Sequence, residues 1–186
     1  GFQMLAKAHL LLRDDPARAD RYHAIVADNI EWFFEKGSQT IATKEGRPAY
    51  NWGYALPRKG GEDCVHGRMD IAGFYLSYLD GSYPIDRAEM TAFANTFTDI
   101  ITLKPGSYAG RVDGTSGNTA HTASASKVKN GFLFLAEFRP DAYDEILSHA
   151  VIEGQAVSST EGATHGDIDL YAAFLWAKYR HTHSHP

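Results

Sequence analysis

Residues Tyr50 to Leu79 read Y-N-W-G-Y-A-L-P-R-K-G-G-E-D-C-V-H-G-R-M-D-I-A-G-F-Y-L-S-Y-L, and the stretch changes character half-way along. Up to Gly61 it is punctuated by Gly53, Pro57, Gly60 and Gly61, the composition of a turn-rich loop. From Ile71 onward apolar residues recur at helical spacing. The polar residues between the two halves therefore stand at a helix N-terminus, where unpaired backbone N–H groups and the positive dipole end favour anions and a capping acid such as Asp63. Aromatic, cationic, acidic and imidazole side chains crowd together here. The rest of the chain reads as the scaffold of this centre.

Outward from it, Phe2 to Arg13 carries Leu5, Ala8, His9 and Leu12 at helical spacing, and Asp14-Asp15-Pro16 breaks that helix. A second helix from about Ala17 to Lys36, stopped by Gly37, lines Tyr22, Ile25, Val26, Ile30, Phe33 and Phe34 along one side, which makes it an outer, amphipathic helix. The third, roughly His66 to Leu79, is apolar nearly all round and is expected to be buried on several sides. The fourth, about Asp86 to Thr102, opens with an Asp cap and Glu89 and is amphipathic again. A glycine-rich loop, Tyr108 to Ala120, leads to helices around Thr122 to Phe138 and Asp141 to Ile152. A third loop, Glu153 to Thr164, leads to a last helix at about Gly166 to Tyr179. No strand alternation competes with this reading, so the expected class is all-α.

Three of these helices begin at a histidine that ends a loop: His66, His121 and His165. Glu62 to Ile71 (E-D-C-V-H-G-R-M-D-I) lies over Glu161 to Leu170 (E-G-A-T-H-G-D-I-D-L), and both read E-x-x-x-H-G-x-x-D-[I/L]. Such self-similarity is the mark of a repeated unit. In antiparallel hairpins with alternating short turns and long loops, the three histidine-led loops share one rim.

The alternation of apolar and amphipathic helices, the His-Gly entries and the Y-N-W-G-Y loop resemble the six-hairpin glycosidase and polysaccharide lyase group, the (α/α) toroid superfamily of carbohydrate-active proteins. The resemblance implies alternating helical hairpins forming such a toroid or part of one. It implies as well that hairpins of a parent chain are missing. A carbohydrate-active function follows, with cleavage of an acidic, uronate-containing polysaccharide by β-elimination preferred to hydrolysis.

Composition fits a single domain over residues 1–180 with a polar tail at 181–186: the chain has 186 residues with an apolar share of 44%, enough for a proper core. The net charge of −5 argues against a general nucleic-acid binder, and no apolar run reaches membrane-spanning length. The lone Cys64 excludes an internal disulfide framework and a multi-cysteine zinc module. The absence of an initiator Met, with Gly1-Phe2 already inside an apolar helix, suggests an excised piece. The compartment is not readable from these residues, and a polysaccharide-degrading parent implies secretion or periplasmic export.

For chemistry, His66 and Asp70 are four apart, as are His165 and Asp169, so each aspartate can orient its histidine on one helix face. The dyad holds a general base or, because it is repeated, pins each loop to its helix. Tyr50, Trp52 and Tyr54 present faces for sugar stacking or fold onto the core, and Arg58, Lys59 and Arg68 neutralise a uronate carboxylate or stay solvated. Toroidal uronate lyases carry Tyr, His, Asn and Arg around one cleft, and that resemblance points to Tyr108, Arg111, Asn118 and His121 beside His66 and Asp63. A hydrolase on the same fold instead needs two carboxyls about 6.5 to 9.5 Å apart, from Glu62 or Asp63 with Asp113, Glu161 or Asp167. A zinc shell from His66, His121 and His165 and a non-catalytic glycan-binding scaffold are the other readings. No cofactor is expected: lanthionine-cyclase toroids hold zinc through two cysteines and a Cys-His-Gly motif, and Val65 separates Cys64 from His66 here.

Overall fold

The structure, a computed structural model, describes residues 2–12, 15–54, 60–104, 107–115, 131–144, 146–147 and 165–183. Helix α1 (Phe2–Leu12) pairs with α2 (Pro16–Trp32), which starts where the sequence puts it: Asp15 caps the N-terminus by accepting the Arg18 N–H, and Pro16 fills the first turn. The helix then widens into a π turn, Phe33–Gly37, and the chain enters a β-hairpin of β1 (Ser38–Ala42) and β2 (Pro48–Trp52). Gly46, at φ 78°, takes the left-handed position in its loop. Next come α3 (Cys64–Asp80), α4 (Arg87–Asn95) with its π-turn extension Thr96–Ile101, and a second small ribbon of β3 (Thr102–Lys104) and β4 (Ser107–Tyr108). Two 3₁₀ turns, Leu133–Phe138 and Pro140–Ala142, precede α5 (His165–His183).

The all-α expectation is corrected by the two antiparallel two-stranded sheets, and with it the alternating-hairpin toroid. The stretch 38–52 hid its strands because β1 opens with three polar residues and has only Ile41 and Ala42 as apolar ones, while β2 buries Ala49 and Trp52 rather than alternating. The layering differs as well. Helix α4, expected to be an outer helix, is the deeply buried one, with Met90, Ala92, Phe93, Ala94 and Asn95 all inside. Helix α3, expected to be buried on several sides, buries one stripe (Cys64, Gly67, Ile71, Tyr75) and exposes Met69, Leu76 and Leu79. The last helix runs three residues into the expected polar tail, and there His181 stacks on Tyr143 at 3.7 Å. Most of the helix expected at Thr122 to Phe138 lies outside the described residues, and its last turns are 3₁₀.

Helix α4 is buried because the hairpin and α3 close over it. Phe93 meets the rings of Phe33, Tyr50, Trp52 and Phe74 at centroid distances from 5.0 to 5.9 Å. Polar groups fix the register of that packing. Thr96 Oγ1 exchanges hydrogen bonds with the backbone of Tyr50, at 2.9 Å in each direction, and Asn95 Nδ2 donates to Pro48 O at 2.8 Å. One edge of β2 therefore finds its partners on α4 instead of in a third strand.

At the far end of α4 the buried Arg139 donates through Nη1 to Asn95 Oδ1 and Thr98 Oγ1, and lies 3.3 Å from Asp99, while its other nitrogens grip both oxygens of Asp141. Asp99 also receives Arg47 Nε at 2.8 Å. Burial works upward on the Asp99 carboxyl, but these donors outweigh it and hold the group below its ordinary range. Removing one member of such a set strands the others, so Arg139→Met is expected to cost about 3 kcal/mol in urea unfolding, and a change within experimental error would show the network to be idle.

Candidate functional site

The segment Gly61 to Cys64 is threaded between two neighbours. On one side Glu62 N–H donates to Trp52 O at 2.6 Å, extending the line of β2. On the other, Val112 N–H donates to Glu62 O and Cys64 N–H to Gly110 O, both at 2.9 Å, so that the backbone at Asp63 pairs antiparallel with that at Arg111. Asp113 Oδ2 accepts Gly61 N–H at 2.7 Å, and Arg111 Nη1 donates to Gly61 O at the same distance. A Cβ on Gly61 would stand 2.7 Å from Asp113 N, so the approach requires glycine.

This clamp delivers Asp63 to the start of α3. Its Oδ1 accepts the N–H groups of Val65 and His66 as a helix cap, and its Oδ2 takes His66 Nδ1 at 2.6 Å. An ionised carboxylate only accepts, so Nδ1 carries the proton and Nε2 is left as the acceptor, with no hydrogen bond to it among the described residues. The hydrogen bond to Asp63 raises the His66 pKa above its ordinary value, with the nearby carboxylates adding to it. Burial works upward on Asp63, but the bonds from His66 and Val65 hold it below the usual carboxylate range.

Glu62 stands beside this pair, 4% exposed, with Oε1 accepting Asp63 N–H at 3.0 Å and lying 4.0 Å from His66 Nδ1. Burial pushes its carboxyl up to about 7, assisted by Asp63 and Asp70 and opposed by the Asp63 N–H and by His66. Glu62 and His66 open into a cleft of about 660 Å³ between α2 and α3. Asp70 stands on its rim and Trp52 in its wall, joined by a 3.0 Å bond from Trp52 Nε1 to Asp70 Oδ2. Tyr54, 64% exposed, sets its ring edge-on to His66 at 5.5 Å.

The expected His66–Asp70 pair is thus corrected. Asp63, three residues before His66, is its partner, because the cap already fixes that carboxylate beside the ring, and Asp70 serves the indole. Of the other sequence candidates, Tyr54 and Trp52 reach the cleft, whereas Tyr50 packs half-buried against Phe34 and Phe93. Tyr108 is buried and stacked on Phe97, and Arg111 is committed to Gly61 O. Arg68 turns back to Val65 O and faces a second cleft. Asp113 holds Gly61 and Thr115. Arg58, Lys59, Asn118, His121, Glu161 and the side chains of His165, Asp167 and Asp169 lie outside the described residues, and so does any test of a three-histidine shell. Glu62 entered the sequence reading only as one carboxyl among several; its burial, which comes from the clamp, has no local signature.

Glu62, Asp63 and His66 each offer a ligand atom within 4.8 Å of the others, but a metal on Nδ1 would have to displace the 2.6 Å bond to Asp63. Among the described residues no helix is long and apolar enough to cross a membrane. Comparison with known protein families, with curated proteins and with solved structures finds no match to this chain.

The two raised pKa values have the same sign in the pH dependence of stability. The folded state holds the Glu62 proton up to about 7, so stability falls as pH rises from the ordinary carboxylate range through that value. The His66 contribution is complete below the ordinary histidine pKa and is lost as pH rises through its raised folded value. Glu62→Gln, an isostere of the protonated acid, should therefore raise the melting temperature at pH 8 and leave it unchanged at pH 4. An equal effect at both pH values would sink the buried-acid assignment.

Proposed function

We propose that the cleft is a glycan-cleaving site working by general acid–base catalysis, and specifically a hydrolase site for a neutral sugar. The observation that carries this reading is the pairing, on adjacent turns of one clamped segment, of a buried carboxyl that keeps its proton to about pH 7 with an imidazole that offers Nε2 to the cleft. Glu62 is the proton donor: it protonates the glycosidic oxygen as the bond from that oxygen to the anomeric carbon breaks. His66 is the base: Nε2 takes a proton from a water whose oxygen bonds to the anomeric carbon, and Asp63 stabilises the imidazolium so formed. The side chain of His66 is 41% exposed, which suits a group that works on water, and that of Glu62 is 5% exposed, which suits a group that must stay protonated. Tyr54 supplies an exposed aromatic face for a sugar ring beside the histidine.

The same acid–base pair suits β-elimination, with His66 taking the proton next to a uronate carboxyl. That reaction also needs a cation against the carboxylate. Asp70 in the lining of this cleft is a carboxylate that repels an acidic substrate, and this supports a neutral one.

The test is a panel of neutral and uronate polymers, followed by reducing-end release and by absorbance near 235 nm. New reducing ends without absorbance are expected on a neutral glycan, and a rise at 235 nm on a uronate polymer would replace hydrolysis by elimination. His66→Ala and Glu62→Gln should each lower turnover by roughly 10²-fold or more. Activity should fall on the alkaline side as Glu62 loses its proton above about 7, and on the acid side as His66 takes up a proton below its raised pKa; variants as active as the parent protein would remove the pair from catalysis.

A further inference from the structure

The lining of the cleft divides by chemistry into two arms: Glu62, His66 and Asp70 make the polar one, and Val26, Phe33, Met69 and Phe74, on α2 with its π turn and on α3, make the apolar one. The polar residues of the second arm offer it little. Asn29 donates to Ile25 O at 2.6 Å and Ser77 to Gly73 O at 3.2 Å, each within its own helix. Trp32 and Met69, which line the cleft, are 45% and 56% exposed, so large apolar surface is left facing water beside a polar catalytic pair. Gly73 forms open floor there: a Cβ added to it meets nothing within 4 Å.

We infer that this arm binds an apolar aglycone, so that the substrate is a glycoside carrying a hydrocarbon or aryl group next to the bond that breaks. The inference rests on the hydrolase reading for the word aglycone, since it is the continuity of the arm with Glu62 and His66 in one cavity that fixes the occupant as part of the substrate. A volume of about 660 Å³ lies within the range of pockets for drug-sized ligands, roughly 300 to 1,000 Å³, and has room for a sugar and its substituent together. An apolar group placed against Phe33, Phe74 and Val26 leaves water for an apolar wall.

The test compares binding of octyl β-D-glucopyranoside, kept below its micelle concentration, with that of methyl β-D-glucopyranoside, read from the fluorescence of Trp32 and Trp52. The octyl compound is expected to bind at least tenfold more tightly. Gly73→Leu fills the open floor of the arm and should abolish that preference, with an unchanged or raised melting temperature because a helical glycine is lost. A second variant, Met69→Lys, acts at an exposed position and should reduce the preference without unfolding the chain. Equal binding of the two glycosides, or a preference untouched by both substitutions, would overturn the inference. Because these are binding measurements, they stand apart from catalysis: an octyl preference intact in His66→Ala, together with a glycan panel that gives no product, supports the arm and counts against the hydrolase reading.

Discussion

The carboxylate of Asp63 is the constraint on which the site depends. It serves two demands with one side chain, since Oδ1 satisfies the orphan N–H groups at the start of α3 and Oδ2 holds the His66 ring. The cap carboxylate is tied to the helix it begins by two backbone hydrogen bonds, so the imidazole inherits the rigidity of the helix rather than that of a loop. The helix start is itself held from outside, because the backbone of 61–64 is hydrogen-bonded to Trp52 on one side and to Gly110 and Val112 on the other. Without that clamp, Glu62 would sit at an open loop end and behave as an ordinary solvated acid.

The clamp depends in turn on where the hairpin lies. β2 reaches Glu62 only because Thr96 and Asn95 of the α4 segment take up its backbone groups, and because Phe93 gathers the rings of Phe33, Tyr50, Trp52 and Phe74 beneath it. Packing of this kind leaves room as well as filling it. Gly37 lies under the Trp32 ring, where a Cβ would come within 2.8 Å, and Gly73 leaves space on the opposite wall, so the gap between α2 and α3 stays open as a cleft. Core and cleft are two sides of the same aromatic residues.

Much of this was legible in the sequence where the signal is local. The Asp63 cap and the Asp86–Glu89 box each announce a helix start, and both are formed as read, while Asp15, read only as part of a helix break, is the cap of α2. Gly81, in the left-handed region at φ 75°, ends α3 next to the predicted Asp80 stop. What was not legible depends on distant partners. Periodicity ranks helices by how apolar they are, yet α4 is buried because a hairpin of undistinguished composition covers it. The spacing of four between His66 and Asp70 is right for a helix-face pair, but the i−3 capping acid was closer to the ring, and Trp52 Nε1 gave Asp70 another partner. Glu62 gains its burial from residues about fifty positions later in the chain, which no window around it contains.

The repeated motif takes on a different meaning once Asp63 is known to be the partner. The two copies share Glu, His, Gly and the later Asp, which suggested two equivalent dyads. The residue that orients His66 is outside that shared set: where the first copy has Asp63, the second has Gly162. Gly162 has no side chain with which to accept a ring N–H or to cap a helix, so the orienting carboxylate belongs to one copy alone. The shared His-Gly pair falls in the first turn of a helix in both copies, and the aspartate that orients the first histidine has no counterpart at that position of the second.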